Sequence, residues 1–146
     1  MYTQFRKKVE KYATVRAPFD DITELPKAPE VSPLKNKRIE IEVDDSPMEG
    51  AIPFSGGATS GLKRLQYYLF ESEKAATYKK TRNGLLGKDY STKFSIWMNV
   101  GALSPRTIYK EVKKFEKEVT KNQSTYWIIF ELLWRDYFRY VAMKYG

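Results

Sequence analysis

The sequence predicts a mainly α-helical chain. Three observations carry this: apolar residues recur at helical spacing in several segments, capping residues stand before them, and prolines are confined to one stretch. Six of the seven prolines, Pro18, Pro26, Pro29, Pro33, Pro47 and Pro53, lie between residues 18 and 53. Each removes a backbone donor and restricts the residue before it. Residues 1–55 therefore read as a short N-terminal helix followed by an irregular Pro-rich linker, and residues 56–146 as helical.

Within the first part, Tyr2 to Lys11 sets Phe5 and Val9 four apart, as on one face of a short amphipathic helix. The linker holds one strand-like alternation, Arg38-Ile39-Glu40-Ile41-Glu42-Val43. After Gly56-Gly57, Thr59 or Ser60 is a candidate cap for a helix carrying Leu62, Leu65, Tyr68 and Leu69 on one side. Glu71-Ser72-Glu73 should interrupt it, with Ser72 capping a second short segment that bears Ala75, Ala76 and Tyr78. Residues 83–91 hold two glycines and turn formers and predict a loop. A compact helix is expected from about Lys93 to Val100, stopped by Gly101.

Ser104-Pro105 is a helix start, because a hydroxyl can cap and the missing amide hydrogen of Pro costs nothing at the first helical position. Ile108, Tyr109, Val112, Phe115 and Val119 share a face of that helix. After a turn at Asn122 to Ser124, with Ser124 or Thr125 as cap, the last helix should run from about Thr125 to Lys144. Its apolar residues occupy nearly the whole circumference: Trp127, Phe130, Trp134, Phe138, Val141 and Tyr145 on one side, Ile129, Leu132, Leu133, Tyr140 and Met143 on the other. Such a helix is expected to be buried between two layers. Too few other helices exist here to cover it, which reads as part of a larger assembly.

Composition narrows the chemistry. With no His and no Cys among 146 residues, a Ser-His-Asp triad, a thiolate nucleophile, a disulfide and a zinc site of nitrogen and sulfur ligands are all excluded. No metal ligand set is expected. No apolar run approaches a membrane span, and the charged N-terminus is no secretory signal; the expected compartment is the cytoplasm, with an organelle left open. The net charge of +8 favours an anionic partner or a merely basic surface.

Three constellations could bind ligands. Tyr90-Ser91-Thr92-Lys93-Phe94-Ser95 runs from a loop into a helix start, gathering three hydroxyls and a lysine that either clamp a phosphate or simply cap. Glu131 and Arg135 interrupt the apolar last helix next to Trp134; they either pair with each other or join the indole on one cavity suited to a planar base. Between Lys63 and Lys93, eight Lys and Arg (Lys63, Arg64, Lys74, Lys79, Lys80, Arg82, Lys88 and Lys93) stand against three acidic residues, with Tyr67, Tyr68, Tyr78 and Tyr90 interleaved. That is the composition of a nucleic-acid face or a phosphate pocket, or of a solvated surface.

The runs Ala76-Thr77-Tyr78-Lys79-Lys80-Thr81-Arg82-Asn83-Gly84-Leu85-Leu86-Gly87, Asp89-Tyr90-Ser91-Thr92-Lys93-Phe94-Ser95, Ser104-Pro105-Arg106, Ser124-Thr125-Tyr126-Trp127 and Phe130-Glu131-Leu132-Leu133-Trp134-Arg135-Asp136-Tyr137-Phe138 together resemble the photolyase and cryptochrome family, in its DASH branch. Tyr2-Thr3-Gln4-Phe5-Arg6-Lys7 resembles the segment by which that family leaves its N-terminal α/β domain. Ile96 stands where relatives commonly have Pro, and Ala102 where Cys is common.

The resemblance implies a partial helical FAD-binding domain behind the linker, and a role for each matched residue. Tyr78, Ser91, Thr92, Lys93, Phe94 and Ser95 would hold FAD, the hydroxyls and amides taking its pyrophosphate. Glu131 and Trp134 would bind the lesion over the flavin; Arg82, Glu131, Trp134 and Arg135 would contact DNA. The implied reaction is light-driven splitting of cyclobutane pyrimidine dimers in single-stranded DNA, and the implied partners are FAD, DNA and a complementary chain completing the domain. The antenna pterin site would lie in an N-terminal domain that nothing here matches, so the chain reads as a central fragment that retains flavin weakly or not at all when isolated. A non-catalytic helical nucleic-acid-binding module, or a structural remnant without flavin, is the alternative.

Overall fold

The computed structural model describes residues 1–20, 22–27 and 55–146. The strand-like segment 38–43 and four of the six clustered prolines lie outside the described residues. Among those described, every regular element is helical. They are α1 (Tyr2–Tyr12), α2 (Gly57–Gln66), a π turn (Tyr67–Glu71), a 3-10 turn (Lys74–Thr77), α3 (Tyr78–Thr81), α4 (Ser95–Asn99), α5 (Pro105–Glu118) and α6 (Gln123–Tyr145). The mainly α class is as the sequence predicts, and residues 13–20 and 22–27 are irregular.

α5 follows its sequence signals most closely. Ser104 Oγ accepts the Arg106 amide at 3.2 Å, Pro105 opens the helix, and Ile108, Val112 and Phe115 are fully buried. Those three side chains meet Leu65, Tyr68, Leu69, Tyr78, Phe94, Trp97, Leu103 and Ile128 in one core. Burying each large apolar side chain contributes about 1.5–3 kcal/mol, so this cluster holds the short helices in place.

Several element ends differ from the sequence expectation. α2 begins at Gly57 after Gly56, without help from Thr59 or Ser60. Its continuation widens into the π turn, which rotates Tyr68 and Leu69 into the core. Ser72 caps nothing: Glu73, in the left-handed region at φ 50°, precedes the 3-10 turn, and Ser72 Oγ bonds back to the Tyr68 carbonyl at 3.5 Å. α4 is only Ser95–Asn99, ended by Gly101 at φ 75°.

At the head of α6 the cap is Asn122, two residues before Ser124 and three before Thr125, the two caps expected. Its Oδ1 accepts the amides of Ser124 (2.7 Å) and Thr125 (3.1 Å), while Thr125 Oγ1 accepts the Asn122 amide at 3.1 Å. This reciprocal box leaves Thr125 wholly buried, so the hydroxyl read as a cap is its second half.

α6 is less covered than its composition suggests. Only Ser124, Thr125 and Ile128 are buried, and Phe138, Tyr140, Met143 and Tyr145 are 59–80% exposed. α1 covers one side of its middle. Tyr2 stacks on Trp134 at 3.6 Å and donates to the Phe130 carbonyl at 3.0 Å, and Phe5 meets Tyr137 and Tyr140. Arg6, Glu10 and Tyr126 close that contact through hydrogen bonds of 2.6–3.2 Å.

Candidate functional site

A cavity of about 1050 Å³ opens between the loop after α3, the head of α4 and the middle of α6. It stands at the top of the range of about 300–1,000 Å³ usual for small-ligand pockets, large enough for a dinucleotide. One wall is the segment Tyr90 to Ile96, and the facing wall is Ile128, Glu131, Leu132 and Arg135 of α6; Tyr78, Arg82 and Asn83 join them.

All six residues expected at the cofactor line this cavity: Tyr78, Ser91, Thr92, Lys93, Phe94 and Ser95. Phe94 also belongs to the core, which anchors the segment from behind. Lys93 is a non-glycine residue at φ 61°, a backbone state that needs a specific restraint. Its ammonium bonds the Tyr90 hydroxyl and lies 3.6 Å from the Tyr90 ring centre. A donor set of three hydroxyls and one ammonium, all in the wall, fits an anionic group such as a pyrophosphate.

At the opposite wall, Arg82 pairs with Glu131 at 2.9 Å, both about one-third exposed. Of the two alternatives for Glu131 and Arg135, the mutual ion pair does not form; Arg135 bonds Asp136 at 3.2 Å. Burial pushes the Tyr78 phenol above its ordinary range, and the nearby Glu131 carboxylate adds to the shift.

Trp134 is where the expected arrangement differs. Glu131 and Arg135 reach the cavity, but Trp134 is not in its lining; its ring lies between Tyr2 and Phe138, stacked on both. α1 supplies an aromatic partner on that side, and the indole turns to it. The indole nearer the basic residues is Trp127, with the Lys79 ammonium 4.7 Å and the Arg82 guanidinium 6.0 Å from its ring centre.

Arg64 departs furthest from its expected place. It is 9% exposed rather than part of an outer basic face. Its Nε donates to the Thr92 carbonyl (3.1 Å), one terminal nitrogen to Asp89 (2.9 Å), and the other to the carbonyls of Lys88 (2.7 Å) and Ser91 (3.0 Å). Tyr67 completes the cluster, donating to Asp89 at 3.0 Å. Burial alone would raise the Asp89 carboxyl, but hydrogen bonds from Arg64 and Tyr67 outweigh it and hold the group below its usual range. A signal for Arg64 existed: Gly61, Arg64, Leu65 and Tyr68 fall at the spacing of one helix face.

No family model matches the chain. Individual proteins do. The Cryptochrome DASH of Xenopus laevis is 50% identical over 150 residues, covering 100% of this chain and 29% of that protein. The Cryptochrome DASH of Gloeobacter violaceus is 46% identical over 151 residues, again across the whole chain and 30% of the relative. A solved cryptochrome structure from Synechocystis sp. superposes with a TM-score of 0.78 at 44% identity, covering 100% of this chain and 31% of that one.

Along its whole length the chain matches one stretch of the DASH-type cryptochromes.

It spans about 30% of the length of these DASH relatives. Its fold is a part of their helical domain, and the cavity wall described above lies in that part. Among the described residues no helix is long and apolar enough to cross a membrane. The tomato and Arabidopsis relatives carry the name Cryptochrome DASH, chloroplastic/mitochondrial.

Proposed function

We propose that this chain forms one wall of the FAD and DNA-lesion site of a DASH-type cryptochrome, with residues 56–146 as the contributing domain part and residues 1–55 as the connection leading into it. The observation that carries this reading is the single cavity that gathers Tyr78, Ser91, Thr92, Lys93, Phe94 and Ser95 on one side and Arg82, Glu131 and Arg135 on the other. Bound FAD would supply the light-driven electron that splits a cyclobutane pyrimidine dimer in single-stranded DNA.

The chain's own residues bind and orient. The hydroxyls of Ser91, Thr92 and Ser95 and the Lys93 ammonium take the pyrophosphate; Tyr78 closes the pocket between them and α6. Glu131 accepts hydrogen bonds from an extruded base, and Arg82 and Arg135 meet the DNA phosphates. Extrusion costs least from a single strand, which suits a shallow half-site. Trp134 would reach the lesion only by leaving its stack on Tyr2.

The test is to purify the chain with and without added FAD and record its visible spectrum and its light-dependent repair of dimer-containing single-stranded oligonucleotides. The expected result is weak but measurable flavin uptake through the cavity, abolished by Lys93→Ala with Ser91→Ala. DNA binding with no flavin uptake at any concentration overturns the reading in favour of a non-catalytic nucleic-acid-binding module.

A further inference from the structure

Arg64 contributes nothing to the cavity lining, yet three carbonyls of the loop that does, or that leads into it, end on its guanidinium. The consequence follows from peptide geometry. In a planar trans peptide the carbonyl and the next amide hydrogen point in opposite directions. Drawing the carbonyls of Lys88, Ser91 and Thr92 toward Arg64 therefore turns the amides of Asp89, Thr92 and Lys93 away from it. Thr92 and Lys93 are in the cavity wall, so the loop lies between the guanidinium and the cavity. The left-handed backbone at Lys93 follows directly after the Thr92 carbonyl that Arg64 Nε holds. Successive amides beside a left-handed residue form a concave anion nest.

We infer that Arg64 is a positioning residue, a buried guanidinium that fixes the Lys88–Lys93 loop so that the Thr92 and Lys93 amides face the cavity and bind the phosphate portion of the dinucleotide. The inference rests on the FAD reading above and names the residue that builds its phosphate subsite. Arg64 acts only through the loop; it touches no ligand. Lys cannot replace it, because one ammonium lacks the planar fork that serves Nε and both terminal nitrogens at once. Asp89 and Tyr67 are its supports, the carboxylate balancing the buried charge.

The experiment compares the full chain with Arg64→Lys and Arg64→Ala in two measurements. The first is the ratio of affinities for FAD and riboflavin, which share the ring system while riboflavin has no phosphate. A general loss of folding weakens both ligands; loss of the nest weakens FAD alone, by about tenfold for charge-assisted hydrogen bonds. The second, free of any ligand, is the rate of tryptic cleavage after Lys88, with far-UV circular dichroism as the check on folding. Faster cleavage at Lys88 and a collapsed FAD-to-riboflavin ratio in Arg64→Lys, with helix content retained, is the expected result. Wild-type cleavage in Arg64→Lys and Arg64→Ala overturns the inference, as does an unchanged ligand ratio. A wild-type chain that shows no preference for FAD over riboflavin overturns both the FAD reading and the phosphate role given to Arg64, whereas a preference that survives Arg64→Lys overturns the Arg64 role alone.

Discussion

Tyr2 lies flat against Trp134, ring centres 3.6 Å apart and planes within 12°, and its hydroxyl donates to the Phe130 carbonyl four residues earlier on the same helix. The second residue of the chain is thereby tied to the middle of α6. Aromatic stacking adds about 0.5–1.5 kcal/mol to the area buried. Tyr2→Ala should cost about 3 kcal/mol, the range for removing a large buried aromatic, and Tyr2→Phe about 1 kcal/mol for the hydrogen bond. Urea denaturation of both variants measures the difference. Equal stabilities for wild type and Tyr2→Ala would mean that α1 does not hold α6.

Alkaline pH should loosen the same contact. Burial pushes the Tyr2 phenol up to about 12 from its ordinary 10, and the phenols of Tyr68 and Tyr126 rise for the same primary reason. A raised folded value means the neutral form is favoured in the fold. The stability is fully present below pH 10, then lost as pH rises through the folded value near 12. Unfolding midpoints measured from pH 8 to 12 should fall above 10, and the fall should be smaller in Tyr2→Phe. An identical fall in that variant would assign the whole effect to the other tyrosines.

Gly61 presents a conflict between local and tertiary preference. Alanine at a helical position gains about 1 kcal/mol over glycine, but a Cβ here would stand 3.0 Å from Trp97 Cγ. Trp97 is 4% exposed and packed into the core, so the ring has little room to yield, and overpacking costs about 1–3 kcal/mol. Gly61→Ala should lower the thermal midpoint; a rise would show that the Trp97 side is more compliant than its packing indicates.

The Arg82–Glu131 pair separates stability from recognition. At about one-third exposure on both sides, it contributes below about 1 kcal/mol to folding. Glu131→Gln should leave the unfolding curve nearly unchanged while reducing the preference for dimer-containing over undamaged single-stranded oligonucleotides by about tenfold, the cost of exchanging a charged acceptor for a neutral one. Arg82→Ala should weaken both oligonucleotides alike and flatten the salt dependence. Titrations by fluorescence anisotropy at two salt concentrations distinguish the two variants.

The sequence made some of this legible for identifiable reasons. Ser104, Pro105 and the Ile108, Val112, Phe115 spacing are local signals, and α5 obeys them because its buried face and its helical period coincide. The run Ser91 to Ser95 stands out in the sequence because its hydroxyls adjoin a helix start, and it lines the cavity. What composition hid was direction. Arg64 follows Lys63 in a basic run, which masks the helix spacing it shares with Leu65 and Tyr68, and the partners that hold it inward come from the loop that folds back from residues 88–92. Trp134 shares a helix face with Glu131, but a partner 132 positions earlier decides where its ring lies. The π turn at Tyr67–Glu71 likewise follows from the burial of Tyr68 and Leu69 rather than from any local motif.

The four guanidinium hydrogen bonds made by Arg64 also bear on how quickly and how tightly a ligand can enter. A loop ordered by folding loses its conformational entropy before any ligand arrives, so that loss is absent from the binding free energy. Association then need not wait for the wall to assemble, and differences among ligands should be expressed in how slowly they leave. Residues 88–93 are thus preorganised: the chain commits this part of its surface to one shape in advance, at the expense of accommodating anions of other shapes.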